Sequence, residues 1–238
     1  MNTFKVAIQG GKASFHEIAS HEFFKANKGV EKLDVVECDT FRKVCEQLES
    51  EEVEYGVLAI ENSIAGSILE NYSLIQEFGH FVCGEYKLPI KQNLMVLPGQ
   101  TIEDIKVVKS HYMALLQCSE YFDKYPNITL EKYHDTADSA KYIRENLVMG
   151  EGAVAGERAA KLYGLEIIGK GIETIKGNYT RFLILSKNKQ FLYEKNDVDK
   201  ATISFELSDR VGALAETLKT IVDNKINLTK IQSLSLIH

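Results

Sequence analysis

The 238-residue sequence holds few of the marks that would place a protein outside the cell, on a metal or on nucleic acid. Its four cysteines, Cys38, Cys45, Cys83 and Cys118, form no CxxC pair and no metal-ligand spacing. Thiols dispersed in this way are core or incidental residues, not a disulfide framework. The six histidines are scattered without an HExxH or comparable pair, which argues against a metalloenzyme. No apolar stretch reaches membrane-spanning length, and the opening MNTFKVAIQG lacks the basic-then-apolar pattern of a signal peptide. A soluble, cytoplasmic protein without membrane attachment is the expectation. Acidic residues outnumber basic ones by 34 to 28, for a net charge of -6, so no broad nucleic-acid surface is expected. A local basic pocket for a small anion is compatible with that balance. No long repeat or low-complexity tract is present.

What is there reads as alternating strands and helices. Hydrophobic residues make up 45% of the chain, enough to bury one or two substantial cores. Phe4 to Ile8 predicts a strand ending at Gly10-Gly11, and Ser14 caps a helix with apolar positions Phe15, Ile18, Ala19 and Phe23. Further strands are expected at 33–36 and 55–60, with a helix at 40–48 between them. That alternation predicts a mostly parallel α/β sheet. A second lobe is expected after Phe78, opening on a strand over 85–96 that breaks near Pro89. It continues with helices at about 112–122, 136–147 and 158–163 and extended segments at 152–156 and 165–168. The 181–185 strand returns to the first lobe, and two crossings would leave a cleft between the lobes. After a polar linker over 188–199, a strand at 201–207, a helix at 212–222 and an extended segment at 226–236 predict half of a ferredoxin-like unit. About 30 further residues would ordinarily complete it, by typical element lengths.

The most informative words lie just before that returning strand. Gly177-Asn178-Tyr179-Thr180-Arg181-Phe182 runs directly into Leu183-Ile184-Leu185. It sets an amide, a hydroxyl and a guanidinium at the mouth of a buried strand, an arrangement suited to a small carboxylate-bearing ligand. Strand alternation points Thr180 and Arg181 to opposite faces and gives Asn178 the parity of Thr180. Arg181 either pairs bidentately with a ligand carboxylate or braces acidic residues of the site. Glu61-Asn62-Ser63 follows another apolar strand. Glu61 would serve there as an acid, if its pKa were raised, or electrostatically, while Asn62 and Ser63 orient ligand oxygens or satisfy a turn. Ser110 is placed at a helix start with Gln117 seven residues on, nearly on the same face. His111 beside it either binds an anion or lies at the surface. Gly10-Gly11 with Ser14 matches neither GxGxxG nor GxxxxGK[ST], so nucleotide readings are weak. Ser14 is kept as an anion-binding candidate as well as a cap.

Six such words share one order over the first 185 or so residues. They are GGKASF (10–15), IENSIAG (60–66), SHYMALLQC (110–118), DTADSA (135–140), VAGERAAKLYGL (154–165) and NYTRF (178–182). In that order they resemble prephenate dehydratases. The resemblance implies a two-lobed fold similar to periplasmic binding proteins, over residues 1–187. Lobe one is about 1–78 plus 176–187, and lobe two about 79–175. It also implies decarboxylating dehydration of prephenate to phenylpyruvate, without metal or organic cofactor. Thr180, Glu61, Asn62, Ser110 and Gln117 become the implied catalytic set, with Ser14, Ser63, His111, Asn178 and Arg181 as substrate-binding residues. The 200–238 segment, with Gly212-Ala213-Leu214, resembles the turn-and-helix signature of an incomplete ACT domain. That implies a phenylalanine effector and a homodimer or higher homo-oligomer. Arogenate dehydratase, a non-catalytic small-carboxylate binding protein of the same fold and a phenylalanine-sensing protein are the alternatives.

Overall fold

The computed structural model describes residues 3–30, 32–188 and 200–234, and the chain divides into two units, 1–195 and 196–238. Strand β1 (Phe4–Gln9) buries Val6, Ala7 and Ile8 completely, so it is covered on both faces. Ser14 then caps α1 (Phe15–Lys28) by accepting from the Glu17 amide, and Gly29 ends that helix in the left-handed conformation. Next come β2 (Leu33–Cys38) and α2 (Phe41–Glu49), the latter capped by Thr40. They are followed by β3 (Tyr55–Asn62), the short β4 (Gly66–Ser67) and α3 (Leu69–Phe78). Then β5 (Phe81–Pro89) and, far later, β11 (Tyr179–Ser186) complete the first sheet. Its order is β2-β1-β3-β11-β5, with β4 paired to β3.

Alternation divides the packing of this sheet. Val6, Val57 and Ile184 face the α1 side with Phe23, Phe24 and Tyr55. Ala7, Leu58, Leu183 and Leu185 face α2 with Val44 and Leu48.

The second lobe is built on a sheet of order β10-β6-β9-β7-β8. Its strands are β6 (Asn93–Val96), β7 (Val107–His111), β8 (Thr129–Tyr133), β9 (Glu151–Ala155) and β10 (Glu166–Gly169). The helices are α4 (Tyr112–Gln117), α5 (Ser119–Phe122), α6 (Thr136–Glu145) and α7 (Glu157–Tyr163). Two cross-connections join the lobes and are tied to each other. The Ile90 amide donates to Asn178 O at 2.8 Å, Ile172 donates to Gln92 O at 2.8 Å, and the Gln92 amide donates to Glu173 Oε2 at 2.9 Å. The 10–14 turn also bridges: Ala13 packs among Met95, Ala137 and Ala140 of lobe two, and Glu17 meets Arg158 at 3.3 Å.

Four expectations need correction. The sheets are mixed rather than mostly parallel, because β11 re-enters antiparallel to β3 and β5 in the first and β6 runs antiparallel to β9 and β10 in the second. The break expected near Pro89 is present, but it separates the two sheets: β5 ends at Pro89 and pairs with β11 in the first, while β6 pairs with β9 in the second. The lobe junction therefore falls at 90–92, not near 79. Ser110 lies on β7 and caps no helix; His111 occupies the cap of α4 and accepts from the Met113 amide at 3.3 Å. In the second unit only α8 (Ala213–Asp223) forms regular structure among the described residues. Residues 201–207 and 226–234 are not strands there, consistent with the weakness of a sheet that has fewer than three strands. Residues 189–199 of the expected linker and 235–236 of the last segment lie outside the described residues.

Candidate active site

The ends of β3 and β11 lie side by side, with Thr180 opposite Asn62 and Arg181 opposite Glu61. Asn62 is oriented by its own turn: its Oδ1 accepts from the Ile64 and Ala65 amides at 3.0 and 2.9 Å. That leaves Nδ2 to donate to Asn178 Oδ1 at 2.8 Å, to Thr180 Oγ1 at 3.0 Å and to Tyr179 O at 3.3 Å. Asn178, only 2% exposed, passes the polarity on, donating from Nδ2 to Gln117 Oε1 at 3.1 Å across the lobes. The chain thus starts on backbone N–H groups and ends in two donors, the Thr180 hydroxyl proton and the Gln117 amide. Hydrogen bonds in series polarise one another, so both ends are stronger donors than isolated groups.

Five of the expected site residues are therefore brought together: Asn62, Ser63, Gln117, Asn178 and Thr180. Ser63 is held in both directions, donating to Asn178 Oδ1 at 3.2 Å and accepting from the Tyr179 amide at 3.0 Å. Its place in the network is to hold Asn178 and Tyr179. Arg181 is turned to the other face, with Nε 2.7 Å from Glu85 Oε2 and one terminal nitrogen 3.9 Å from Glu61 Oε2. Of the two readings of Arg181, this geometry is the bracing of acidic residues. Ser110 is wholly buried and donates to Val154 O at 2.6 Å.

Ser14, 2% exposed, sits under the Gly10 turn, where a side chain on Gly10 would reach within 3.6 Å of Asp135 Oδ2. Burial raises the Asp135 carboxyl, while the Asp138 and Ala137 amides it caps pull it down. His111 is lowered by burial, opposed by Asp135.

Two kinds of residue escaped the sequence. Glu85 has no motif, and only the register of β5 against β11 carries it to Arg181. A cavity of about 250 Å³ beside Gln117 is lined by Ile64, Leu116, Ser119, Thr174 and Ile175, drawn from three separated stretches. Among the described residues no cluster of histidine, cysteine, aspartate or glutamate could hold a metal ion, and no helix is long and apolar enough to cross a membrane.

The family model described as "Prephenate dehydratase" matches residues 6–190. An Arabidopsis thaliana chain named arogenate dehydratase/prephenate dehydratase 2, chloroplastic, is 37% identical over 229 residues, covering 96% of this chain and 58% of that one. The chain spans a little over half the length of the first curated relatives it matches. Among solved structures, an Arthrobacter aurescens prephenate dehydratase in complex with L-Phe superposes with TM-score 0.81 at 23% identity, covering 96% of this chain and 75% of that one. A chain described as GqqA, a novel type of quorum quenching acylases, superposes with TM-score 0.78 at 25% identity, covering 98% and 82% respectively.

Proposed function

Because the chain belongs to the prephenate dehydratase family, we propose that it converts prephenate to phenylpyruvate, carbon dioxide and water. In that reaction the bond from ring carbon to carboxylate breaks, and its electron pair enters the ring. The ring hydroxyl departs from the opposite carbon and takes up a proton to become water. Aromatisation supplies the driving force, so the protein's task is to align the leaving groups and support charge on the departing oxygen.

The observation that carries this reading is the donation from Asn62 Nδ2 to Thr180 Oγ1 at 3.0 Å. It occupies one lone pair of the hydroxyl oxygen and leaves the proton for a ligand oxygen. A threonine is far too weak an acid to surrender that proton alone, whereas a pre-aimed hydrogen bond needs no such transfer. Gln117 offers a second donor and Asn178 holds the two in register. Glu61, braced by Arg181, contributes charge on the neighbouring face. Ser14, Ser110 and His111 belong to the candidate set through the family motifs. The network favours hydrogen-bond donation over acyl transfer: the Thr180 and Ser63 hydroxyls are engaged by amide groups rather than by an imidazole base.

Residues 200–238 enter the same reading as part of an ACT-like unit responding to phenylalanine, with the Gly212-Ala213-Leu214 turn as its ligand side. Gly212, at φ 88°, opens α8 in a conformation that favours glycine. Homo-oligomeric assembly and a cytoplasmic location are carried by the family resemblance. The test is to incubate the purified chain with prephenate and follow both products. Equal amounts of phenylpyruvate and carbon dioxide are expected, and absence of both overturns the assignment.

A further inference from the structure

Resting on that dehydratase activity, we propose that Asn71 and His16 are positioning residues for the Thr180 donor, gripping the Ala59 peptide from two helices and so fixing where Asn62 stands. Neither belongs to a family word: the words that precede them end at Phe15 and Gly66. The need for such a grip lies in β3 itself. Its ladder with β1 covers only Tyr55, Gly56 and Val57, after which β1 continues along β2 alone. On the other edge, the register against β11 slips between Ala59 and Glu61, leaving Ile60 as the extra residue of a bulge. A bulge re-aims the side chains that follow it, and here those are Glu61 and Asn62. The strand is therefore least constrained by sheet pairing just where the orientation of Asn62 is set.

Two side chains stand in for the missing strand. His16 Nε2, from α1, accepts from the Ala59 amide at 3.3 Å, and Asn71 Nδ2, from α3, donates to Ala59 O at 2.7 Å. All three residues are buried, so without these partners both polar groups of Ala59 would be left unsatisfied. The start of α3 also closes the return from the site. The Ile68 amide donates to Ile60 O at 2.9 Å, the Asn71 amide donates to Ile68 O at 3.1 Å, and Gly66 lies opposite Asn62. Asn71 thus ties the base of the turn that bears Asn62 and Ser63. Its Oδ1 is buried with no hydrogen-bond partner among the described residues. An apolar side chain of the same size would avoid that cost, so what the amide contributes is its donor. Asn62 in turn aims the Thr180 hydroxyl over 3.0 Å. A displacement of about 1 Å in such a chain is enough to lose about 100-fold in turnover.

The test is kcat and KM for prephenate with the full chain and its variants, each checked for folding by circular dichroism and urea unfolding. Asn71→Leu removes the donor at nearly constant volume. It should lower kcat about ten- to hundredfold and change KM less than about threefold. In a Thr180→Ala background the same change should lower kcat less than about threefold, because the hydroxyl it aims is gone. General loosening of the fold would cost the two backgrounds equally. His16→Leu, which removes the acceptor, should fall at least about tenfold in kcat below His16→Gln, which keeps one. The His16 pair decides the proposal if Asn71→Leu does not fold. Native kcat in Asn71→Leu, equal losses in the two backgrounds, or equal kcat in the two His16 variants overturns the positioning role. Absence of turnover in the native chain overturns the dehydratase activity on which that role rests, so the two failures are distinct.

Discussion

At the scale of the residue, His16 shows a polar side chain held neutral by the core it completes. Its Nε2 accepts from the Ala59 amide at 3.3 Å, and its ring meets Phe182 edge-on at 5.0 Å. Burial pushes its pKa down from 6.5 to about 3. The unfolded chain binds this proton first, so the folded state is favoured most above pH 6.5 and loses stability as pH falls from there toward 3. Between pH 7 and 5 this ring alone should cost about 2 kcal/mol. His16→Gln keeps an acceptor for Ala59 and cannot titrate. Urea unfolding at both pH values should show a smaller loss in the variant, by about that amount. Equal losses would mean that the ring is not held neutral. The sequence could not single out this histidine: nothing near it distinguishes a core imidazole from a surface one. Ser110 was misplaced for a related reason, because a serine before a helical stretch reads as a cap whether or not the preceding strand has ended.

At the scale of the element, β11 carries the argument, and much of it was legible. Alternation put Thr180 and Arg181 on opposite faces, and the structure turns them to Asn62 and to Glu85 respectively. The pairing partner of β5 was not legible, because register depends on a strand some 90 residues later in the chain. Composition around Pro89 signals a break but cannot say that the two sides join different sheets. Close packing of β5 on α1 gives a direct check. A Cβ on Gly84 would lie 2.5 Å from Cζ of Phe23, a buried member of the α1-side core. Gly84→Ala should destabilise the chain by about 1–3 kcal/mol, since the ring has little room to retreat. Adding Phe23→Leu should make the pair less destabilised than the sum of the single changes, a coupling that chemical denaturation can read. Strict additivity would show that α1 and β5 do not meet as described.

At the scale of the whole molecule, the site exists because the chain crosses between two lobes and returns. Asn62 and Thr180 belong to the first sheet, Gln117 to helix α4 of the second lobe, and Asn178 stands on the returning connection. The ordered family words made the two-lobed plan and most of this network readable from residues alone. The cavity was not readable, since its walls come from three separated stretches and Ser119, Thr174 and Ile175 fit no motif. The second unit was readable only as far as its helix. The account stands on a hydroxyl aimed by an amide at the departing ring oxygen. Its most direct test is the steady-state turnover of prephenate by Thr180→Ala and Thr180→Ser beside the native chain. Thr180→Ala should lose about 10²–10³-fold in kcat with KM little changed, as for removal of one transition-state donor. Thr180→Ser, which keeps the hydroxyl, should stay within about tenfold of native on the same scale. An alanine variant that turns over prephenate as fast as the native chain would contradict the account.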